Sequence, residues 1–204
     1  GILLNPPPRR RMRLENDWNL FSAVALGAGL GYPVLHRVAS DNFYIAREAV
    51  KRCAEAGMKR VGLLCRQESD DRLQNRWLGA YLAECHRLEL AKDIPPFMNN
   101  TLNAKEIAAW VKRERLDAFI GTLRGEWMKP LREAGLKIPE KVRYVGITLL
   151  QEDPLIAGYI EQIDMVSRTA IQHLIAMMHR NETGLPETPC ESFLLGHWHP
   201  GASF

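Results

Sequence analysis

The chain has 204 residues, of which 46% are hydrophobic and 25% charged, with a formal net charge of +3. That is enough apolar content for one domain or two small lobes with buried cores, and too little net positive charge to argue for nucleic-acid binding. The sequence holds no apolar run near the roughly 20 residues needed to span a bilayer, and its start lacks the features of a secretory signal, so a cytoplasmic protein is expected.

In chain order, residues 2–4 read as a buried strand, followed by Pro6-Pro7-Pro8 and a basic run at Arg9, Arg10, Arg11 and Arg13 that reads as a solvated loop. Residues 17–21 suggest a helical turn, and 23–26 and 34–38 short strands. Ala46, Ala49, Val50 and Cys53 recur at helical spacing, predicting a helix over 42–56 with Asp41 placed to cap it and Gly57 to end it. A strand at 61–65 then precedes a long helix at 71–90. A short strand is possible at 96–98. Next come a helix at 104–114, a strand at 118–122, a helix at 127–134 and a strand at 143–147. A loop, a helix at 166–179 and a final strand at 192–195 complete the pattern. Strands alternating with helices predict an α/β fold with largely parallel sheets.

Few residues carry chemistry. Cys53, Cys65, Cys85 and Cys190 have no CxxC spacing and read as free thiols, mostly buried. His197 and His199 share a strand face, but no third ligand lies nearby, so no metal is expected. Gly27-Ala28-Gly29 runs into Gly31-Tyr32-Pro33 rather than a helix, which argues against a nucleotide loop and for no cofactor. There is no nucleophile elbow or paired-carboxylate motif, and an enzyme is not expected. In parallel sheets ligands bind beyond the carboxyl ends of the strands, which directs attention to Asn5 and Pro6, Gly27, and residues 37–41, 66–70, 122–126 and 148–151.

Several segments carry a resemblance. Asp41-Asn42-Phe43, then Arg47-Glu48-Ala49-Val50 and Gly57-Met58-Lys59-Arg60-Val61-Gly62-Leu63, form one of them. Arg76-Trp77-Leu78-Gly79-Ala80-Tyr81 forms a second. Gly135-Leu136-Lys137-Ile138-Pro139-Glu140, running on to Tyr144-Val145-Gly146-Ile147, forms the third. The tail from Ser167 through Pro186 and Pro189 to Gly196-His197-Trp198 forms the last. In this order they resemble the effector-binding domain of the LacI/GalR transcriptional regulators.

The resemblance implies a periplasmic-binding-protein-like fold of two lobes. The first would comprise residues 1–41 and 159–182, the second 42–158 and 183–204. It further implies that the first lobe is incomplete, lacking two strand–helix units and a DNA-binding headpiece, and that a sheet edge is left open. The function implied is binding of a small effector, a sugar or related molecule, with lobe closure controlling DNA binding through a headpiece absent from this chain. The regulator would be a homodimer formed through residues 1–30 and the helix at 166–179, with no membrane partner. A periplasmic-type sugar-binding protein and a small α/β enzyme are the alternatives.

Residue by residue, Arg76 matches the family's effector-contacting arginine, whose fork of donors suits vicinal hydroxyls. A solvated helix arginine is the alternative reading. The family's asparagine–aspartate pair after the strand at 118–120 is replaced by Thr122-Leu123-Arg124. Its aspartate after Gly146-Ile147 is Thr148, and His36-Arg37 stands where another aspartate sometimes occurs. Gln162 lies near a polar ligand position on the crossover. Phe43 and Trp127 are placed to stack on a sugar face, Trp77 reads as helix core, and Asp41 as a cap and hinge residue. With acidic anchors lost and Arg37, Arg76 and Arg124 present, an acidic or heavily oxygenated sugar is conceivable.

Overall fold

A computed structural model describes residues 1–5 and 14–204; the basic run at Arg9–Arg13 and the three prolines before it lie outside the described residues. Ten strands and six helices occur among the described residues, and they divide into two compact units, each built on its own sheet.

The first unit comprises Gly1–Asp41, Asp71–Gln74 and Gln162–Leu195. Its sheet has the order β1 (Ile2–Leu4), β2 (Ala23–Leu26), β3 (His36–Ser40), β9 (Glu191–Leu194), all parallel. Helix α6 (Ile163–His179) covers one face because Val166, Ala170, Leu174 and Met177 recur at three- and four-residue spacing and bury against Val24 and Val38. Alternate strand residues point the other way, where Ala23 and Ala25 pack with Trp18, Leu30 and Leu35.

The second unit comprises Asn42–Asp70, Asn75–Glu161 and Gly196–Phe204. Its six strands are ordered β10 (His197–His199), β8 (Gly158–Ile160), β7 (Arg143–Leu149), β6 (Ala118–Gly121), β4 (Val61–Cys65), β5 (Phe97–Met98). All neighbours are parallel except β10, which runs antiparallel to β8. Helix α1 (Asn42–Glu55) packs on β6, β7 and β8, and α3 (Arg76–Arg87) on α1 and β4. Helices α4 (Ala104–Arg113) and α5 (Met128–Glu133) enclose a separate cluster of Ile107, Trp110, Leu131, Phe119 and Tyr144. Within it Phe119 and Tyr144 have ring centroids 4.8 Å apart, and truncating either ring to alanine costs about 3–5 kcal/mol.

Three expectations are corrected. Residues 183–195 do not join the second unit, because the backbone of β9 pairs along β3 from Arg37 to Ser40. The return to the second unit comes only at Gly196, where β10 begins. The crossover at the other end also moves, since β8 hydrogen-bonds to β7 and keeps residues 158–161 with the second unit. The helix over 71–90 is broken into α2 (Gln67–Arg72) and α3, with Gln74 and Asn75 both left-handed at φ 58°. The cause is Asp70. Its side chain is fully buried, and its carboxylate accepts the Trp77 N–H at 3.0 Å and the Leu78 N–H at 3.4 Å, so it caps α3 from the preceding helix.

Candidate functional site

Parallel sheets place their loops and helix starts at the carboxyl ends of the strands, and in the second unit that end carries a cavity of about 600 Å³. Residues 124–126, after β6, form one wall, and residues 148–155, from the end of β7 onward, form the other. Both walls are anchored in the core. The Tyr144 hydroxyl, completely buried on β7, accepts the Leu123 N–H at 2.7 Å and lies 2.8 Å from the Gly121 carbonyl oxygen. It therefore ties the exit of β6 to the neighbouring strand.

The chemistry of the cavity is mixed. Thr148 offers a hydroxyl, Gln151 an amide and Arg124 a guanidinium, and Glu126, Glu152 and Asp153 add carboxylates to the same lining. Leu150 and Leu155 supply exposed apolar surface beside them. A polyol has hydroxyls for every one of these groups, donating to carboxylates and accepting from Arg124.

The expected site residues are distributed unevenly. Thr148 lines the cavity, together with Arg124. Trp127 closes the short 3-10 turn Gly125–Trp127 that follows Arg124, but its ring is half-buried and packs against the core under α5. Thr122 sits at the exit of β6, where its N–H donates to the Leu64 carbonyl at 3.3 Å. Phe43 is exposed in the first turn of α1, and half-buried Arg76 opens α3. A cation there meets the positive end of the helix dipole, an arrangement that adds nothing to helix stability.

The remaining three belong to the first unit. Arg37 forms a structural cross-link. Only 5% exposed, it donates to the Leu30 carbonyl at 3.0 Å and pairs with Glu191 at 3.2 Å, so its guanidinium joins β3 to β9 and to the loop after β2. Gln162 is left-handed at the start of α6, and its side-chain amide donates to the Leu195 carbonyl at 3.3 Å. Asp41 is the last residue before α1, and its N–H donates to the Leu194 carbonyl at 2.8 Å.

Several residues that organise the site were not given that role from the sequence. Asp70 and Asn42 position α3, the latter by accepting the Trp77 indole N–H at 3.1 Å. Asp153 and His199 meet behind the cavity, where the Asp153 N–H donates to His199 Nε2 at 3.2 Å. An acidic residue inside Gln151-Glu152-Asp153-Pro154 reads as an ordinary turn, and a histidine 46 residues away carries no mark of its partner.

The sequence profile of the periplasmic binding protein-like domain matches residues 50–204. No curated protein matches the chain by sequence. Among solved structures, the transcriptional regulator CelR in complex with cellobiose superimposes with a TM-score of 0.69 at 19% identity. That match covers 89% of this chain and 58% of the other, so the chain spans less than two thirds of that regulator's length. A LacI family transcriptional regulator from Enterococcus faecium with bound ribose gives 0.70 at 15% identity, covering 89% and 70%. The periplasmic binding ribose operon repressor protein from Lactobacillus acidophilus gives 0.69 at 19% identity, covering 100% and 75%. The chain thus shares the α/β fold of these regulators, and with the profile matched over more than half its length it belongs to the periplasmic binding protein-like domain family.

Proposed function

We propose that this chain is the effector-binding domain of a LacI-type transcriptional regulator, taking a sugar or related polyol at the cavity of its second unit. One observation carries the reading: the cavity stands at the carboxyl ends of β6 and β7, with Thr148, Arg124 and three carboxylates along its two walls. Cellobiose and ribose in two structures of the same fold support the ligand class. Binding acts on the rest of a regulator only through different affinities for two arrangements of the units, so the effector selects one of them and biases DNA binding by a headpiece.

The domain works as a homodimer in this reading, and the first unit supplies its contact surface. Ile171, Ile175 and Met178 on α6 are each between 44% and 48% exposed, an apolar row at helical spacing that a second copy would cover. Isothermal titration calorimetry with cellobiose and D-ribose tests the ligand assignment. Binding of one of them is expected, weakened roughly tenfold or more by Arg124→Ala or Thr148→Ala as donors to buried hydroxyls are lost. An affinity unchanged in both variants would remove the cavity from the account.

A further inference from the structure

The two walls of the cavity meet where Asp153 lies against Gly125. Asp153 Oδ1 accepts the Leu155 N–H at 2.9 Å, closing a turn on its own loop. Its carbonyl accepts the Ile156 N–H at 3.1 Å. Its main chain is also gripped from β10, where His199 Nε2 lies 3.2 Å from the Asp153 nitrogen and 3.1 Å from its carbonyl oxygen.

The carboxylate also rests on the other wall. A methyl group built on Gly125 would stand 2.5 Å from Asp153 Oδ2 and 3.2 Å from Oδ1, so the bare glycine is the seat on which the carboxylate lies. The segment beyond β10 braces the same loop from behind. The Ala202 N–H donates to the Pro154 carbonyl at 2.9 Å. Ser203, fully buried, accepts the Ala157 N–H at 2.9 Å and donates to the Tyr144 carbonyl at 2.7 Å.

We propose that Asp153 is the positioning residue of this cavity, a latch by which His199 on β10 and Gly125 after β6 hold the loop at 149–155 in its ligand-ready shape. The inference rests on reading the cavity as the effector site. It adds that affinity there is set from the far side, by β10 and the residues after it, which do not line the cavity. A loop held beforehand loses less conformational entropy when a ligand orders it, so breaking the ties made by His199 and Gly125 weakens binding while every polar side chain of the cavity lining is kept.

The test is a double-mutant cycle of Gly125→Ala, Asp153→Ala and the double variant, read by amide hydrogen exchange of the full chain. Gly125→Ala alone is expected to unseat the carboxylate and speed exchange across residues 150–155 roughly tenfold. On the Asp153→Ala background it adds nothing, because the clash is gone. His199→Ala reproduces the loosening, His199→Gln restores order in part through its amide, and Asp153→Asn keeps the turn.

In every variant the protected amides of β6 and β7 stay unchanged, which separates a loosened loop from general destabilisation. Calorimetry with D-ribose and cellobiose should show affinity falling with loop protection. Additive exchange effects of the two substitutions, or loosening spread through the strands, would overturn the latch. Absence of sugar binding by the unmodified protein counts against the effector reading, while the exchange cycle still decides the latch.

Discussion

Glu161, the last residue of the second unit before the chain crosses to α6, is half-buried, and burial pushes its pKa up from 4.5 to about 7. Between those two values the folded chain holds a proton that the unfolded chain has released. Stability from this group is therefore fully present below about pH 4.5 and is lost as pH rises through about 7. Glu161→Gln removes the titration. The variant should gain on the order of 1–3 kcal/mol over the parent at pH 8 and nothing near pH 4, measured by urea unfolding across that range. Parallel pH profiles for the two proteins would show that the carboxyl ionises freely in the folded state.

Arg37 teaches the complementary lesson. Its place in a strand was visible in the sequence, but its partner Glu191 lies 154 residues further on, and only the pairing of β3 with β9 brings them together. A charged residue at a strand end is legible as a candidate; whether its charge is already spent is a tertiary fact.

At the scale of elements, periodicity recovers most helices and strands because burial imposes it, and it fails where side chains override propensity. Nothing in the apolar spacing of residues 71–90 marks the break before α3. The break depends on a buried aspartate whose oxygens compete for the helix amides. Asp70→Ala should cost about 1–3 kcal/mol, since two amides lose their acceptor and the left-handed pair at Gln74 and Asn75 loses its anchor. Asp70→Asn should cost less, as one oxygen still accepts from Trp77. Equal stability of the alanine variant and the parent in urea would mean that the break is set by Gln74 and Asn75 alone.

The short strand β8 was missed for a different reason. Three-residue strands carry too few side chains to show an alternation, and Gly158 is needed where the backbone of Gly146 approaches too closely for any Cβ. The cavity loops were legible by position, as residues following β6 and β7. Their ties to Gly125, His199 and Ser203 were not, because each joins residues distant in sequence.

At the scale of the whole molecule, the ordered series of family-like segments carried the fold, since each segment meets a local need of a parallel α/β unit: a helix start, a tight turn, a strand. The proposed assembly rests on the exposed apolar row of α6. If α6 forms the contact between copies, sedimentation equilibrium should show a dimer, and Ile171→Asp with Ile175→Asp should shift it to monomer while helical circular dichroism is kept. A monomeric parent protein would remove α6 from that role.

The central claim is that a sugar or related polyol binds at the cavity of the second unit, and calorimetric titration of cellobiose and D-ribose into the parent protein and Arg124→Ala measures it most directly. The account predicts saturable binding of at least one of them by the parent, weakened roughly tenfold or more in the variant. Binding of neither sugar, or binding to both proteins with the same affinity, would contradict it.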